Sequence, residues 1–411
     1  MKILFILDKY YPKPLANSIC SQNLIDEFVN CGDKVDVITY KDSGINVESP
    51  NKSVRVFLVN PDIRVSLNYY SKNFPGTKLA TLTKNIATLL NRTKKIILFK
   101  FFPLYSLSFP LRIYFKIKKL NKENGYDIVI STYGSFENAL GTYLYKKKFK
   151  NIKWVLYTVD SFINDRHKFI NKKGNTNNFW LPKFLDNCDM FIYMKSRENE
   201  YRNDYFDKWK KKMFVSDIPL LKNTDCNFVF NEYNNVSENW VYAGSLGLPH
   251  YKTDDLINIF LKLNDGKERF LNFYSSGKEL NKITELGKIN NGRIKGYNYV
   301  THNELLKIYS KANILVSIKY SNQISAKIFE YMTYNKKIVH ISGSDSDPDE
   351  PYLKLYKNCC ILKPYKETLD ASIKKLEKFL KKDVEDNINL LDVFEMNQPK
   401  YTCNLIKSNL D

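Results

Sequence analysis

The fold is decided by residues 291–341, which read NGRIKGYNYV THNELLKIYS KANILVSIKY SNQISAKIFE YMTYNKKIVH I. The runs at 314–318 and 337–341 are short and mostly apolar, as is typical of strands buried within a parallel sheet. Between them, residues 326–333 repeat apolar side chains at the spacing of a short amphipathic helix. Strand, helix and strand in this order predict a β-α-β unit with parallel strands.

The same alternation continues on both sides of this stretch. Further strands are predicted at residues 2–7, 35–39, 127–131, 154–158, 190–194, 240–243, 270–274 and 293–295. Further helices are predicted at residues 254–263, 303–311 and 369–380. The sequence therefore predicts an α/β protein made of doubly wound parallel sheets.

The length of 411 residues favours two domains. The segment between them is polar, rich in asparagine and without clear periodicity. We predict an N-terminal, acceptor-side domain at 1–220, a linker at 221–239 and a C-terminal domain at 240–384. The tail, 385–411, is expected to pack back on the first domain.

Composition excludes several classes of protein. The seven cysteines are scattered without a Cys-x-x-Cys pair, which argues against a zinc site or a disulfide framework and favours a reducing cytoplasm. The apolar run at the start of the chain is too short for a signal peptide. No uncharged apolar run approaches the length that spans a bilayer. We therefore expect a cytoplasmic protein.

The net charge of +20 is concentrated in residues 63–122, which contain thirteen lysines and arginines and no acidic residue. Bulky apolar residues at 96–105 and 109–115 lie among these cations. This combination favours peripheral contact with an anionic membrane surface, where each nearby cation contributes on the order of 1 kcal/mol. Single-stranded nucleic acid is a rival partner, and a core helix with a solvated basic face is the third interpretation. We predict that this stretch contacts an anionic membrane and does not bind nucleic acid.

Two doubly wound domains leave a cleft at the carboxyl ends of their strands, where ligands bind. Ser325 is predicted to cap the helix that begins at Ala326, so that free amides there favour an anion such as a diphosphate. Lys327 adds a positive charge, and the Glu330 carboxylate can accept two hydrogen bonds from a vicinal diol such as a ribose. The alternative is an ordinary helix with an exposed Lys327–Glu330 pair.

Three loops after predicted strands supply further candidates. Gly244 begins a Gly-Ser-Leu-Gly loop in which the backbone can approach a phosphate, and Lys252 follows it. In the N-terminal domain, the small residues around Asn17 can admit a sugar or a phosphate. Asp160 is a candidate base for an acceptor hydroxyl, although capping of the next segment explains it equally well.

Two other features are set aside. Asp345 and Asp347 resemble a metal-binding Asp-x-Asp, but with Asp349 and Glu350 they form an acidic run that we expect to be solvated. The four histidines are widely spaced, so no zinc-binding helix is predicted.

The ordered block of Gly296, Tyr297, residues 305–312 and the SAKIFEYM segment at 325–332 resembles the retaining glycosyltransferases of the GT-B fold, especially family 4. The opening strand with YYP at residues 10–12 and the CGDKVDVIT segment at 31–39 are similar to the same family. The likeness runs over nearly the whole chain. It implies two Rossmann-like domains that face each other across a cleft.

The resemblance also implies an activity. It predicts a hexosyltransferase-type enzyme that moves a sugar from a nucleotide-sugar to a glycan or polyprenyl-linked acceptor, with retained configuration and with neither metal nor cofactor. Relatives of this kind build bacterial capsule, lipopolysaccharide or exopolysaccharide at the inner face of the cell membrane. Glu330 corresponds to the ribose-binding glutamate, whereas Lys252 and Lys327 correspond to positions near the donor diphosphate. Tyr297 belongs to the same donor-binding block.

This chain departs from the family pattern at four places, which include Lys252, two residues later than is typical, and the segment 15–18 in place of a glycine-rich loop. Asn322 stands where a second glutamate often contacts the donor sugar, and Ser245 replaces an arginine that contacts phosphate. Two alternatives therefore stay open: a nucleotide-sugar epimerase of the same fold, and a non-catalytic nucleotide-sugar-binding subunit.

Overall fold

A computed structural model describes residues 1–10, 16–41, 47–60, 63–74, 76–98, 106, 108–133, 135–159, 176–222, 237–246, 253–264, 266–275, 279–320, 324–385 and 390–410. The side chains of 16–17, 64–65, 72, 93–98 and 176–179 are not described. The chain divides into two compact units, Met1–Leu220 with Met396–Asp411, and Leu221–Glu395. The predicted first boundary falls at the same residue, whereas the return to unit 1 begins at 396 rather than 385.

Unit 1 contains a parallel sheet of seven strands in the order β3-β2-β1-β4-β5-β6-β7. The strands are β1 Lys2–Ile6, β2 Lys34–Tyr40, β3 Arg55–Val59, β4 Ile128–Thr132, β5 Lys153–Thr158, β6 Met190–Met194 and β7 Met213–Ser216. The central strands are apolar on both faces because helices cover both sides of the sheet. Phe5 and Trp154 are fully buried there.

The helices of unit 1 are α1 Ala16–Asn30, α2 Ile63–Asn73, α3 Lys78–Leu98, α4 Ser108–Asn124, α5 Phe136–Lys148, α6 Thr176–Asn187, α7 Glu198–Tyr201 and α15 Pro399–Leu410. The last of these packs against α1, which brings the end of the chain back to unit 1. A hydrogen bond of 2.6 Å joins the hydroxyls of Ser216 and Thr402. An ion pair of 2.6 Å joins Lys407 to Asp33.

Unit 2 contains a parallel sheet of six strands in the order β10-β9-β8-β11-β12-β13. The strands are β8 Ser237–Ala243, β9 Glu268–Tyr274, β10 Ile294–Tyr297, β11 Ile314–Lys319, β12 Lys337–Ser342 and β13 Cys359–Leu362. The helices are α8 Asp254–Lys262, α9 Glu279–Ile289, α10 His302–Lys311, α11 Ala326–Met332, α12 Glu350–Leu353, α13 Leu369–Leu380 and α14 Leu390–Val393. Both units are therefore doubly wound Rossmann-like domains, as the sequence predicts.

Most predicted elements are present within one or two residues. Strand β8 is an exception, since it begins at Ser237, three residues inside the predicted linker. The prediction also missed the strands β3, β7 and β13, the helices α9, α12 and α14 of unit 2, and most helices of unit 1. Within the described ranges, no helix combines the length and the apolar character that crossing a bilayer requires.

Local interactions fix the ends of the helices that carry the candidate site. Helix α10 starts with a capping box, in which Thr301 and Glu304 accept each other's backbone amide hydrogen bonds. The ammonium group of Lys336 donates to the carbonyl oxygens of Ser310 and Ala312 at the other end of α10. Asn335 adopts a left-handed conformation with φ of 49°, which ends the turn after α11.

Candidate functional site

The order of strands in unit 2 reverses between β8 and β11, whose carboxyl ends are Ala243 and Lys319. In open α/β sheets, ligands bind in the crevice at such a switch point. Helix α11 follows β11 and carries the predicted residues Lys327 and Glu330. The structure thus brings the C-terminal candidates to the end of the sheet where the fold itself favours a ligand.

The Lys327 side chain extends from α11 to the end of β8. Its ammonium group donates to the carbonyl oxygen of Ala243 at 2.6 Å and lies 5.0 Å from the centre of the Tyr242 ring. Burial, together with the nearby positive charge of Lys319, lowers the pKa of Lys327 to about 8. Lys327 is therefore held at the switch point and is not the exposed member of a surface pair.

Gly244 makes this position of Lys327 possible. Its φ of +153° is one that residues with side chains rarely adopt. A Cβ atom at this position would lie 2.2 Å from the Lys327 ammonium nitrogen, which is closer than two non-bonded atoms approach. The glycine of the predicted phosphate loop thus provides the space for a lysine ammonium group.

A second buried lysine lies at the same end of the sheet. Lys319 ends β11, and its ammonium nitrogen is 3.9 Å from Oδ2 of Asp349, with both side chains almost completely buried. Burial lowers the pKa of Lys319 and raises that of Asp349. Among the described residues, no donor forms a hydrogen bond to Asp349 Oδ2. Lys319 was not predicted as a site residue, because a lysine at the end of a strand is usually solvated.

Asp349 also fixes the beginning of α11. Its Oδ1 atom accepts a hydrogen bond of 2.7 Å from the Ser325 amide, whereas the Ser325 side chain forms no capping hydrogen bond. Ser325 therefore occupies the predicted N-cap position without capping the helix through its side chain, and its own amide donates to an aspartate of another loop. A carboxylate is already present at this helix start, beside Ala326.

The acidic run is buried rather than solvated, which corrects the sequence-based expectation for three of its four residues. Asp347, Asp349 and Glu350 are buried, and only Asp345 is exposed. Asp347 lies 2.8 Å from Nε2 of the fully buried His340. Burial acts to raise the pKa of Asp347, but the hydrogen bond and charge of His340 bring it below its usual value. The run is folded inward because its partners come from β11 and β12.

Glu330 lies one turn beyond Lys327 on α11. Its Oε1 atom is 3.2 Å from Nε2 of His302, and both side chains are partly exposed. His302 is the first residue of α10, so the capping box at Thr301 sets its position. The structure therefore places a histidine against Glu330, the residue predicted to bind the ribose. The spacing of the histidines in the sequence does not predict this contact.

The other predicted donor-binding residues lie on neighbouring strand ends. Tyr297 stacks on Tyr274 with ring centres 4.8 Å apart and an interplanar angle of 11°. The backbone carbonyl of Ser245 accepts a hydrogen bond of 3.0 Å from the Tyr242 hydroxyl. Both positions border the carboxyl end of the second sheet.

Four candidates cannot be placed in the same way. Lys252, Asn322 and Asp160 lie outside the described residues, and only the backbone of Asn17 is described, in α1. At the switch point of the first sheet, between β1 and β4, the structure places Asp8. Its Oδ1 atom accepts a hydrogen bond of 2.7 Å from the Asn138 side chain. The signal that was overlooked is its place as the first acidic residue after the first buried strand.

Comparison with known proteins supports the fold. The lipopolysaccharide outer core galactosyltransferase WaaB has a similar structure, with a TM-score of 0.55 at 12% identity over 100% of this chain and 99% of that chain. The α,α-trehalose 6-phosphate synthase of Burkholderia multivorans gives 0.60 at 9% identity over 100% and 98%. The UDP-GlcNAc 2-epimerase of Methanocaldococcus jannaschii gives 0.53 at 12% identity over 99% and 100%.

No model of a known protein family matches the sequence, and no curated protein matches it either. At identities this low, the similarity establishes the fold alone. The chain has the GT-B fold, with two Rossmann-like domains, which is the fold predicted from the sequence.

The close approach at Gly244 leads to a first prediction. We expect Gly244→Ala to displace the Lys327 ammonium group and to weaken binding of nucleoside diphosphates at least about tenfold. Gly266→Ala is the matched control, since φ there is +80° and nothing lies within 4 Å of an added Cβ. Both variants should lose about 1–2 kcal/mol of unfolding free energy through backbone strain, measured in urea. Equal nucleotide affinity in the two variants would contradict this role for Gly244.

The buried pair of Lys319 and Asp349 leads to a second prediction, measured as unfolding free energy in urea. Lys319→Met and Asp349→Asn should each cost about 3–5 kcal/mol, because each leaves a buried charge without its partner. The double variant should be more stable than the sum of the two losses predicts. Strict additivity would show that the two groups do not interact in solution.

Proposed function

We propose that this protein is a glycosyltransferase that moves a sugar from a nucleotide-sugar donor to a glycan or lipid-linked acceptor, with retention of configuration. The observation that carries this proposal is the pair of lysine ammonium groups, Lys319 and Lys327, at the switch point of unit 2. One carboxylate, Asp349, faces them at 3.9 Å from Lys319. Two ammonium groups at one end of the sheet suit a diphosphate.

The reaction depends on stabilising the leaving group. The bond between the anomeric carbon and the diphosphate oxygen breaks while the acceptor hydroxyl forms a new bond to the same carbon, on the same face. The hydroxyl proton passes to the departing phosphate oxygen. Lys327, Lys319 and Lys252 would neutralise the charge that develops on the diphosphate, an effect worth about 3–4 kcal/mol per donor in comparable sites. The proposed reaction uses no metal ion.

The rest of the donor would follow the edge of the sheet. Glu330 would accept hydrogen bonds from the ribose hydroxyls, and the stacked ring of Tyr297 offers an apolar face for the base. Asn322 would contact the transferred sugar. The backbone at Gly244, Ser245 and Ala326, with the side chain of Ser325, would surround the phosphates.

Unit 1 would bind the acceptor, with Asp160 holding the attacking hydroxyl and Asn17 beside the sugar. We propose a role in bacterial surface polysaccharide synthesis, such as capsule or lipopolysaccharide. The protein would work in the cytoplasm, in peripheral contact with the inner face of the cell membrane, where a polyprenyl-linked acceptor is presented. The basic stretch at 63–122 supports this location.

A nucleotide-sugar epimerase is the second candidate function. It is favoured by the His302–Glu330 contact of 3.2 Å, which is a possible acid–base pair. Incubation with the donor alone separates the two activities. A transferase leaves the donor sugar unchanged until an acceptor is added, whereas an epimerase releases the epimer without one.

Nucleotide recognition is tested first by a thermal-shift screen with UDP-, GDP-, CMP- and dTDP-sugars, because a ligand of the native state raises Tm. With the donor so identified, Lys327→Ala and Glu330→Ala should each reduce turnover at least about tenfold. Glu285→Ala and Lys288→Ala, on the exposed face of α9, are matched controls and should keep wild-type turnover. Wild-type activity in both site variants would refute the assignment.

The pKa of Lys327 also predicts a pH dependence. The pKa of about 8 in the free protein means that the ammonium form is lost as the pH rises above this value. Since the charged form stabilises the leaving phosphate, kcat/KM for the donor should fall on the alkaline side, by about tenfold per pH unit. Lys327→Met should have lower kcat/KM without this alkaline limb. The same limb in wild type and variant would assign the titration to another group.

A further inference from the structure

Helix α3 buries small side chains and exposes large aliphatic ones. On its packed side, Ala80 and Ala87 are 5% and 0% exposed. On its outer side, Leu79, Leu82 and Ile86 are 50%, 54% and 39% exposed. This is the reverse of what the core of a soluble domain requires, because burial of a leucine contributes about 1.5–3 kcal/mol and burial of an alanine far less.

The outer residues share one face of the helix. Leu79, Leu82 and Ile86 are separated by three and four residues, so they project from the same side of α3. Ala80, Thr83 and Ala87 have the same spacing one position further on and form the packed side, with α2 as a neighbour. The exposed face is therefore continuous along the helix and is not a set of isolated surface leucines.

Exposed apolar residues are also concentrated in this part of the chain. Within the described residues, ten of the seventeen large apolar side chains that are exposed fall between residues 63 and 115. They are Ile63, Tyr70, Phe74, Leu79, Leu82, Ile86, Leu89, Leu90, Leu111 and Phe115. Clusters of this kind mark interaction surfaces rather than ordinary protein surface.

The positive charge around the exposed face of α3 indicates which kind of partner it binds. Lys78, Lys84 and Arg92 are exposed on α3 itself, and residues 63–122 contain no acidic residue. A second copy of the chain would bring the same positive face against its own, which is repulsive. Single-stranded nucleic acid binds to aromatic platforms, whereas the face of α3 is aliphatic. An anionic lipid surface satisfies both the aliphatic and the cationic side chains.

We propose that α3 lies in the plane of an anionic bilayer, with Leu79, Leu82 and Ile86 in the acyl region and the neighbouring cations among the lipid phosphates. This assigns the membrane contact to α3, upstream of the apolar runs at 96–105 and 109–115 that the sequence favours. The side chains of 96–105 lie outside those described, and Phe109 and Ile113 of the second run are buried in the core. It extends the proposed function by naming the lipid partner of the acceptor-side unit. Lipid binding, however, is measured without any sugar transfer.

The test is co-sedimentation of the full-length protein with two kinds of vesicle: phosphatidylcholine alone, and phosphatidylcholine mixed with phosphatidylglycerol. The wild type should bind the anionic vesicles and should be released by high salt. The double variant Leu82→Ser/Ile86→Ser should partition at least about tenfold more weakly. Its Tm should equal that of the wild type, because both side chains are exposed.

The matched control is the double variant Ile289→Ser/Leu355→Ser, since these residues of unit 2 are 77% and 57% exposed. It should bind anionic vesicles as the wild type does. Lys78→Glu/Lys84→Glu tests the charge separately and should also lose binding. Equal loss in the unit 2 control, unchanged binding in the α3 variant, or equal binding to uncharged vesicles would each overturn the proposal.

Two further outcomes would assign the face to another partner. Binding of the wild type to single-stranded oligonucleotides but not to anionic vesicles, with loss in the α3 variant, would overturn the proposal in favour of nucleic acid. A dimer that the α3 variant dissociates would overturn it in favour of self-association. Donor-dependent thermal shifts should be unchanged in the α3 variant, so failure here is distinguishable from failure of the proposed transferase.

Discussion

The structure of the candidate site depends on two lysine ammonium groups held in the low-dielectric carboxyl end of the second sheet. Moving such a group out of water costs several kcal/mol unless polar partners replace the lost hydration. The Ala243 carbonyl and the Tyr242 ring surround Lys327, and the Asp349 carboxylate faces Lys319. The carboxylates of Asp349, Asp347 and Glu330 also act on the two lysines. Two ammonium groups gathered at one end of the sheet are the physical basis for expecting an anionic ligand.

Several features of unit 2 serve to maintain that arrangement. The missing side chain of Gly244 leaves room for one ammonium group. The buried contact between His340 and Asp347 positions the loop that carries Asp349, and Asp349 in turn holds the amide of Ser325. The start of α11 is thus tied to the ends of β11 and β12. The same carboxylate limits the positive charge at rest and orients the helix that would contact the donor.

The two units carry positive charge for different purposes. In unit 2 the charges of Lys319 and Lys327 are concentrated at one end of the sheet, where a small anion would bind under the proposed function. In unit 1 it is exposed and spread around the aliphatic face of α3, which suits the extended negative surface of a bilayer. This division is consistent with the proposed function, in which unit 1 would receive a lipid-linked acceptor and unit 2 would hold the donor.

The sequence predicted the central strands well because these strands are buried on both faces and read as continuous apolar runs. The three strands it missed, β3, β7 and β13, are all at sheet edges, where partial exposure interrupts the apolar pattern. The burial of Asp347 and Asp349 was equally invisible. Their partners lie on other strands and helices, so only the fold brings them together. Lys327 and Glu330 could be proposed from the sequence because one short helix carries both.

The most direct test of the buried cations is a crystal structure of the protein with a bound nucleoside diphosphate. We predict a phosphate oxygen within hydrogen-bond distance of the Lys327 ammonium group and near Lys319. The ribose hydroxyls should donate hydrogen bonds to Glu330. A nucleotide bound elsewhere, with Lys327 still donating to the Ala243 carbonyl, would contradict it.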